Sequence, residues 1–209
     1  FNDVAVKNLA TATGWDYNAI NFASDDIVQS INVNGTYQGL NFSESKAQYL
    51  QVNTTVDPSA VFNNSEISVS MWLNVSPLAS GDFEIPFHIN DNLPAIVLQK
   101  GTNDTWQLQT RTTTGDEGVH TFVGANFITG DWQHLGFTIK SNGGTSYTVT
   151  LYHNGTAVSN QTGTYTGLFF GDDCDNGDGG CSFGKFSSTG TFEYKGMMDE
   201  MHVYSHAIT

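Results

Sequence analysis

Close to its carboxyl end the sequence sets an acidic pair, Asp199-Glu200, just after Gly196-Met197-Met198 and just before the alternating run Met201-His202-Val203-Tyr204. Carboxylates at the entrance of a strand are placed where a cation could be held. Neighbours in a strand point to opposite faces, so one of the pair at most can turn inward. An inward carboxylate needs a cation or a set of hydrogen bonds, because burying an unpaired charge is costly. The competing reading is an Asp that accepts backbone N–H groups at a turn. A second acidic cluster, Asp172, Asp173, Asp175 and Asp178, lies in GDDCDNGDGGC (171–181). Spaced Asp and Gly are what oxygen-ligand calcium loops use. Asp173, Asp175 and Asp178 are therefore expected calcium ligands, or presenters of ligands to a calcium that bridges to a glycan. The later Glu of an EF-hand loop is missing, and a solvated acidic loop is the alternative.

The same loop carries both cysteines, Cys174 and Cys181. An even count at close spacing predicts one local disulfide, against two free thiols or half of a zinc site. A disulfide would place the chain outside the cytosol.

A third candidate is polar. In Thr105–Thr112, Trp106, Leu108 and Thr110 share one face, and Gln107, Gln109 and Arg111 share the other. Two amides and a guanidinium in a row can bond sugar hydroxyls, or a carboxylate through Arg111. Trp106 and His120 are expected to supply edges of that binding site. An ordinary solvent-facing row is the alternative.

Charge restricts the partners. Seven basic residues face 21 acidic ones, a formal net charge of −14. Phosphate binding needs clustered Lys and Arg, so nucleic acid is excluded, and anionic membrane surfaces are disfavoured. No apolar run approaches the ~18 residues of a membrane span, so no membrane insertion is expected. Charged residues are 13% and apolar residues 38% of the chain, a balance in which Ser, Thr, Asn, Gln and Gly must carry solubility. Asn-x-Ser/Thr sequons stand at Asn34, Asn41, Asn53, Asn63, Asn74, Asn103, Asn154 and Asn160, which suits a secreted glycoprotein. The first residue is Phe1 rather than Met, which reads as a processed form or a fragment.

The elements that must position these residues are strands. Period-two segments bounded by Gly, Asn, Asp and Pro recur with no linker or repeat, so residues 1–209 read as one domain. Expected strands are Gly39–Ser43, Gln48–Asn53, Glu66–Val75, Ala95–Lys100, Thr105–Thr112, Val119–Val123, Trp132–Lys140, Ser146–His153, Thr156–Asn160, Cys181–Lys185, Thr191–Tyr194 and Met198–Ser205. Asn154-Gly155 predicts a tight hairpin. Asp25–Ile31 is expected to hold a helical turn. Leu135, Phe137 and Ile139 on one side, with His134, Thr138 and Lys140 on the other, predict a sheet with one buried face. Two such sheets face to face give an all-β antiparallel sandwich.

Five segments in order, over 38–209, then resemble a known family. QGLNFSESKAQYLQV, ISVSMWLNV, VLQKGTNDTWQLQT, DWQHLGFTIK with YTVTLYHNGTAV, and CSFGKF with FEYKGMMDEMHVYSHAIT are similar to the motifs of laminin-G-like, concanavalin A-like jelly rolls. The resemblance implies a jelly-roll sandwich. It also implies a structural calcium bridged from the closing strand's Asp, here Asp199, to an early segment where Asp25 and Asp26 are possible donors. Retaining glucanases of this fold carry Glu-x-Asp-x-(x)-Glu, which neither Asp82-Phe83-Glu84 nor Asp116-Glu117 matches. A lyase-like Arg-rich strand cannot form from the lone Arg111. The expected function is non-catalytic recognition outside the cell, at a cell, filament or virion surface. The expected partner is a glycan or cell-surface glycoprotein. Alternatives are a structural module contacting other copies or domains of the same assembly, and a glycan-cleaving hydrolase or lyase.

Overall fold

The computed structural model describes residues 5–6, 17–20, 27–29, 38–43, 47–52, 66–76, 83–89, 95–115, 117–125, 127–166, 181–185 and 192–208. Among the described residues are fifteen strands and no helix. In chain order they are β1 (Ala5–Val6), β2 (Tyr17–Ile20), β3 (Ile27–Gln29), β4 (Gln38–Phe42), β5 (Tyr49–Val52), β6 (Glu66–Val75), β7 (Glu84–Ile89) and β8 (Ala95–Lys100). There follow β9 (Trp106–Arg111), β10 (Glu117–Thr121), β11 (Gln133–Gly143), β12 (Ser146–His153), β13 (Thr156–Thr164), β14 (Cys181–Phe183) and β15 (Gly196–Tyr204).

They form two antiparallel sheets. One has eight strands in the order β1-β2-β5-β14-β7-β8-β9-β10, and the other has seven in the order β13-β12-β11-β6-β15-β4-β3. Each sheet buries one face against the other. From the seven-stranded sheet, Ile67, Val69, Met71, Leu73, Leu135, Phe137, Ile139, Val149 and Leu151 enter a shared core with Phe87, Ile96, Leu98, Trp106, Leu108 and Phe183. The alternation that marked β6, β11 and β12 in the sequence is this inward set, and the cross-strand pairs Phe137↔Leu151 and Phe137↔Val69 hold it in register. A one-residue slip would send every core side chain to solvent.

The expected turns form. Asn154 and Gly155 both take positive φ (49° and 76°), the geometry of a type I′ hairpin turn. Gly101 closes its turn by donating to the Thr105 carbonyl at 3.0 Å and accepting from Asp104 N–H at 2.9 Å.

Two expectations are corrected and one strand was not foreseen. Ile27–Gln29 is not helical: it pairs with Gln38–Leu40 as an edge strand, and three residues are too few to show a period. Within 191–194, pairing among the described residues is limited to an isolated bridge, Lys185↔Glu193. The sequence also gave no sign of β7, which is buried along its whole length. Pro86 sits where the β7–β8 register shifts between Glu84 and Phe87, the kind of site that tolerates proline within a sheet.

One edge of the sandwich is closed by polar contacts between the sheets. His120 of β10 meets the Gln161 side-chain oxygen of β13 through Nδ1 at 3.0 Å, and Tyr165 OH through Nε2 at 3.2 Å. Gln161 can only accept there, so Nδ1 carries the proton and Nε2 accepts from Tyr165. Gly118 makes room for this: a Cβ on it would stand 2.5 Å from the Tyr165 hydroxyl.

Candidate functional site

The β8–β9 pair carries the polar row. Its register, Ala95↔Arg111, Val97↔Gln109 and Gln99↔Gln107, puts all six side chains on the outward face of the eight-stranded sheet. Ile96, Leu98, Leu108 and Thr110 fill the inward face. Gln99, Gln107 and Gln109 make no side-chain hydrogen bond to another described residue. Arg111 Nε lies 3.1 Å from Glu117 Oε1 across the β9–β10 pair, and both side chains are largely exposed.

Above this row is an open pocket of about 170 Å³, lined by Phe83, Ile85, Ala95, Val97, Gln99, Gln109, Arg111 and Phe192. Its floor is apolar. Ile85, Ala95 and Val97 form a satellite cluster separate from the main core. One wall is the contacting pair of rings Phe83 and Phe192, with centroids 5.4 Å apart and planes tilted by 58°. Each ring remains exposed, at 39% and 43%.

The two phenylalanines meet because the chain around them is tied together. Glu84, the first residue of β7, accepts the Lys195 N–H through Oε2 at 2.6 Å. Tyr194 donates its N–H to the Gly184 carbonyl at 2.8 Å and its hydroxyl to the Met197 carbonyl at 3.1 Å. Burial first, and the Glu84 charge second, hold the Tyr194 hydroxyl well above its ordinary pKa, so it stays a donor. The segment bearing Phe192 is thereby held beside the one bearing Phe83.

Trp106 and His120 do not edge this pocket. Trp106 is buried on the opposite face of β9, its ring 5.3 Å from that of Phe127. It borders a space of about 20 Å³ with Lys100 and Asp104, room for roughly one water. His120 is buried among Thr110, Gln161 and Tyr165. Burial lowers its pKa below the ordinary 6.5, partly offset by the Gln161 bond. Trp106 shares its phase with Leu108 and points inward with it, whereas Phe83 and Phe192 had no signal in the sequence.

Asp199 is buried and Glu200 exposed. The direction differs from expectation. Met198 pairs with Leu73 and faces the core, so Asp199, opposite Trp72, lies on the outward side of the seven-stranded sheet. A register shift between Asp199 and His202 follows, and Glu200 takes φ +46°, uncommon for a long side chain. Asp199 Oδ1 accepts the Glu200 N–H at 2.8 Å, the turn-type bond of the competing reading. Its Oδ2 is buried without a partner among the described residues. An orphaned anionic oxygen is a fitting donor for a hard cation. Among the described residues no three His, Cys, Asp or Glu side chains gather as a metal set, so the other donors would be carbonyls or residues beyond those described. Asp25, Asp26, Asp172, Asp173, Asp175, Asp178 and Cys174 lie outside the described residues, and Cys181 is fully buried in β14.

On the same outward side, Trp72 and His134 meet edge to face at 5.4 Å. The His134 pKa is lowered, mainly by burial, with Glu200 raising it and His202 lowering it. A buried Ser–His contact also exists, Ser182 Oγ to His88 Nδ1 at 3.0 Å. Ser182 gives its one proton to the Lys185 carbonyl at 2.6 Å, so His88 must donate to Ser182. That is the reverse of a base activating a nucleophile.

No helix of the described residues is long and apolar enough to cross a membrane. Among curated proteins, none matches the sequence. Several solved structures share the fold. The receptor-binding domain of botulinum neurotoxin D superposes with a TM-score of 0.62 at 15% identity, covering 95% of this chain and 46% of that one. The CBM40 of Ruminococcus gnavus IT-sialidase, bound to α2,3-sialyllactose, gives 0.60 at 10% identity over 82% of this chain and 91% of that one. A botulinum neurotoxin type C structure, whose cell entry depends on two ganglioside molecules, gives 0.59 at 14% identity over 100% and 49%. The chain thus spans about half the length of the toxin chains it matches. A family model described as concanavalin A-like lectin/glucanases superfamily matches residues 44–209. With that match over most of its length and the two-sheet jelly roll beneath it, the chain belongs to the concanavalin A-like lectin/glucanase superfamily.

Proposed function

We propose that the chain is a single non-catalytic recognition domain that works outside the cell and binds glycans on the outward face of its eight-stranded sheet. The observation that carries this reading is the pocket in which Gln99, Gln109 and Arg111 stand over an apolar floor beside a wall of two touching, exposed phenylalanine rings. Sugars offer hydroxyls to amides and a C–H face to aromatic rings, and a site of this kind pairs a mainly apolar lining with a few placed polar groups. Gln107 extends the row beside Gln99. The glycans named for the sialidase module and the type C toxin add support by fold analogy alone. Neither the pocket lining nor the Ser182–His88 pair supplies an acid–nucleophile arrangement. The test is a glycan array probed with the wild type and with Arg111→Ala. Loss of signal in the variant supports the site, and equal binding by both proteins removes it.

The proposal includes a structural calcium held through Asp199, with the acidic loop as a second candidate, and a Cys174–Cys181 disulfide that pins that loop. Calcium at one hundred times its Kd would add about 2.7 kcal/mol to stability. Melting with calcium and with chelator checks this: a shift in the wild type that Asp199→Asn abolishes is expected, and an unchanged melting temperature removes the calcium.

One observation favours a second reading, contact with other copies. β13 is a nine-residue edge strand, TAVSNQTGT, without a charged residue, and uncharged edges invite strand pairing. Sedimentation showing a concentration-dependent dimer would support it.

A further inference from the structure

We infer that the pocket on the outward face takes a neutral sugar carrying an acetamido group, an N-acetylhexosamine. This rests on the glycan-binding reading above and specifies the ligand it recognises.

The floor is the reason. Ile85, Ala95 and Val97 are 3%, 2% and 6% exposed although they face away from the core. A bare pyranose hydroxyl lowered onto them would lose its water and gain no partner. A methyl group loses nothing there and gains burial. The wall made by the contacting pair Phe83 and Phe192 repeats the preference, since it presents ring carbons only. The polar groups of the lining are Gln99, Gln109 and Arg111. A primary amide both donates and accepts, and a guanidinium donates. An acetamido group, with a C=O that accepts, an N–H that donates and a methyl beyond them, matches a Gln and Arg rim beside an apolar floor. A 6-deoxy sugar would supply a methyl and hydroxyls, but no planar C=O and N–H pair joined directly to that methyl.

Charge decides between neutral and acidic sugars. Arg111 is the one cationic side chain in the pocket lining, and Glu117 Oε1 already lies 3.1 Å from it. A carboxylate entering the pocket would meet that pair within a chain of formal charge −14. A carbonyl oxygen accepts from the guanidinium without disturbing it.

The experiment uses an array of matched glycosides: N-acetylglucosamine and N-acetylgalactosamine against glucose and galactose, with fucose, rhamnose and sialic acid alongside. The expected result is about tenfold stronger binding of the acetamido sugars over their hydroxyl counterparts, a difference of about 1.4 kcal/mol. Ala95→Leu, which fills the floor, should remove that preference. Phe83→Ser with Phe192→Ser alters exposed rings, keeps the fold and should abolish acetamido binding, so it decides the matter if Ala95→Leu misfolds. Equal binding of acetamido and hydroxyl sugars, or preference for the 6-deoxy or sialic acid glycosides, overturns this inference and leaves glycan recognition standing. Acetamido binding that survives the double serine variant also overturns it, because the ligand then lies elsewhere. Failure to bind any glycoside overturns both readings.

Discussion

On the outward face of the seven-stranded sheet, polar side chains are bonded to the protein itself. Ser68 Oγ donates to the His206 carbonyl at 2.8 Å and accepts the Ile208 N–H at 2.9 Å. Asn74 donates to the Gly130 carbonyl at 2.9 Å. Thr148 and Thr162 bond each other across β12 and β13 at 2.9 Å. On the outward face of the eight-stranded sheet, over β8 and β9, Gln99, Gln107 and Gln109 form no such bonds among the described residues. Both faces use uncharged polar side chains, but one uses them to fasten strands and a tail while the other leaves them open beside a hollow. Side chains that stabilise the fold find partners within the chain, and those left over are where a ligand can bind.

Substitutions can break or sharpen this contrast. The largest effect is expected from Trp106→Ala, which empties a fully buried site on the inward face of β9 and should cost about 3–5 kcal/mol in urea unfolding. A stable Trp106→Ala protein that has lost only ligand binding would mean the ring belongs to the pocket after all. Ser68→Ala should cost about 1–3 kcal/mol, because it strips partners from a carbonyl and an N–H of the tail. If its midpoint of unfolding does not move, the seven-stranded face is no more fastened than the other.

A smaller effect is expected from acid. Burial lowers the pKa of His120, His134 and His153 below the ordinary 6.5. As pH falls through 6.5, the unfolded chain takes up protons that the folded chain refuses, so stability falls with it. The decline ends once pH drops below the folded pKa values. At this chain length each kcal/mol lost lowers the melting temperature by about 2–4 °C. Melting curves between pH 7.5 and 5 should show this slope, shallower in His120→Gln. Smallest of all, Gln109→Ala should change stability by no more than about 0.5 kcal/mol while weakening glycan binding. A clear drop in stability would show that Gln109 serves the fold.

The sequence made some regions legible for identifiable reasons. β6, β11 and β12 alternate because one face is buried and one wet; β6 and β12 coincide with the expected strands, and β11 starts one residue later and runs on to Gly143. β7 could not be read that way, since Glu84 and His88 are buried along with Ile85, Phe87 and Ile89. The outward direction of Gln109 and Arg111 was readable from phase alone. Their neighbours Phe83 and Phe192 lie about a hundred residues apart and meet through the bond between the Glu84 carboxylate and the Lys195 backbone, a contact with no local signature. Asp199 was singled out by resemblance, and neither its burial nor its side was readable, because both depend on the register with β6.

The position of β15 bears on how the molecule is made. It is last in chain order among the described strands, yet it lies between β6 and β4. A chain leaving the ribosome amino end first therefore carries its seven-stranded sheet as two separate pieces, each with a raw edge, until this segment emerges. The bonds that fasten the following tail join residues up to 141 apart. Contacts so distant in sequence form slowly, and unpaired edges are adhesive while they wait. The nascent protein should depend on chaperones most in the interval before β15 emerges.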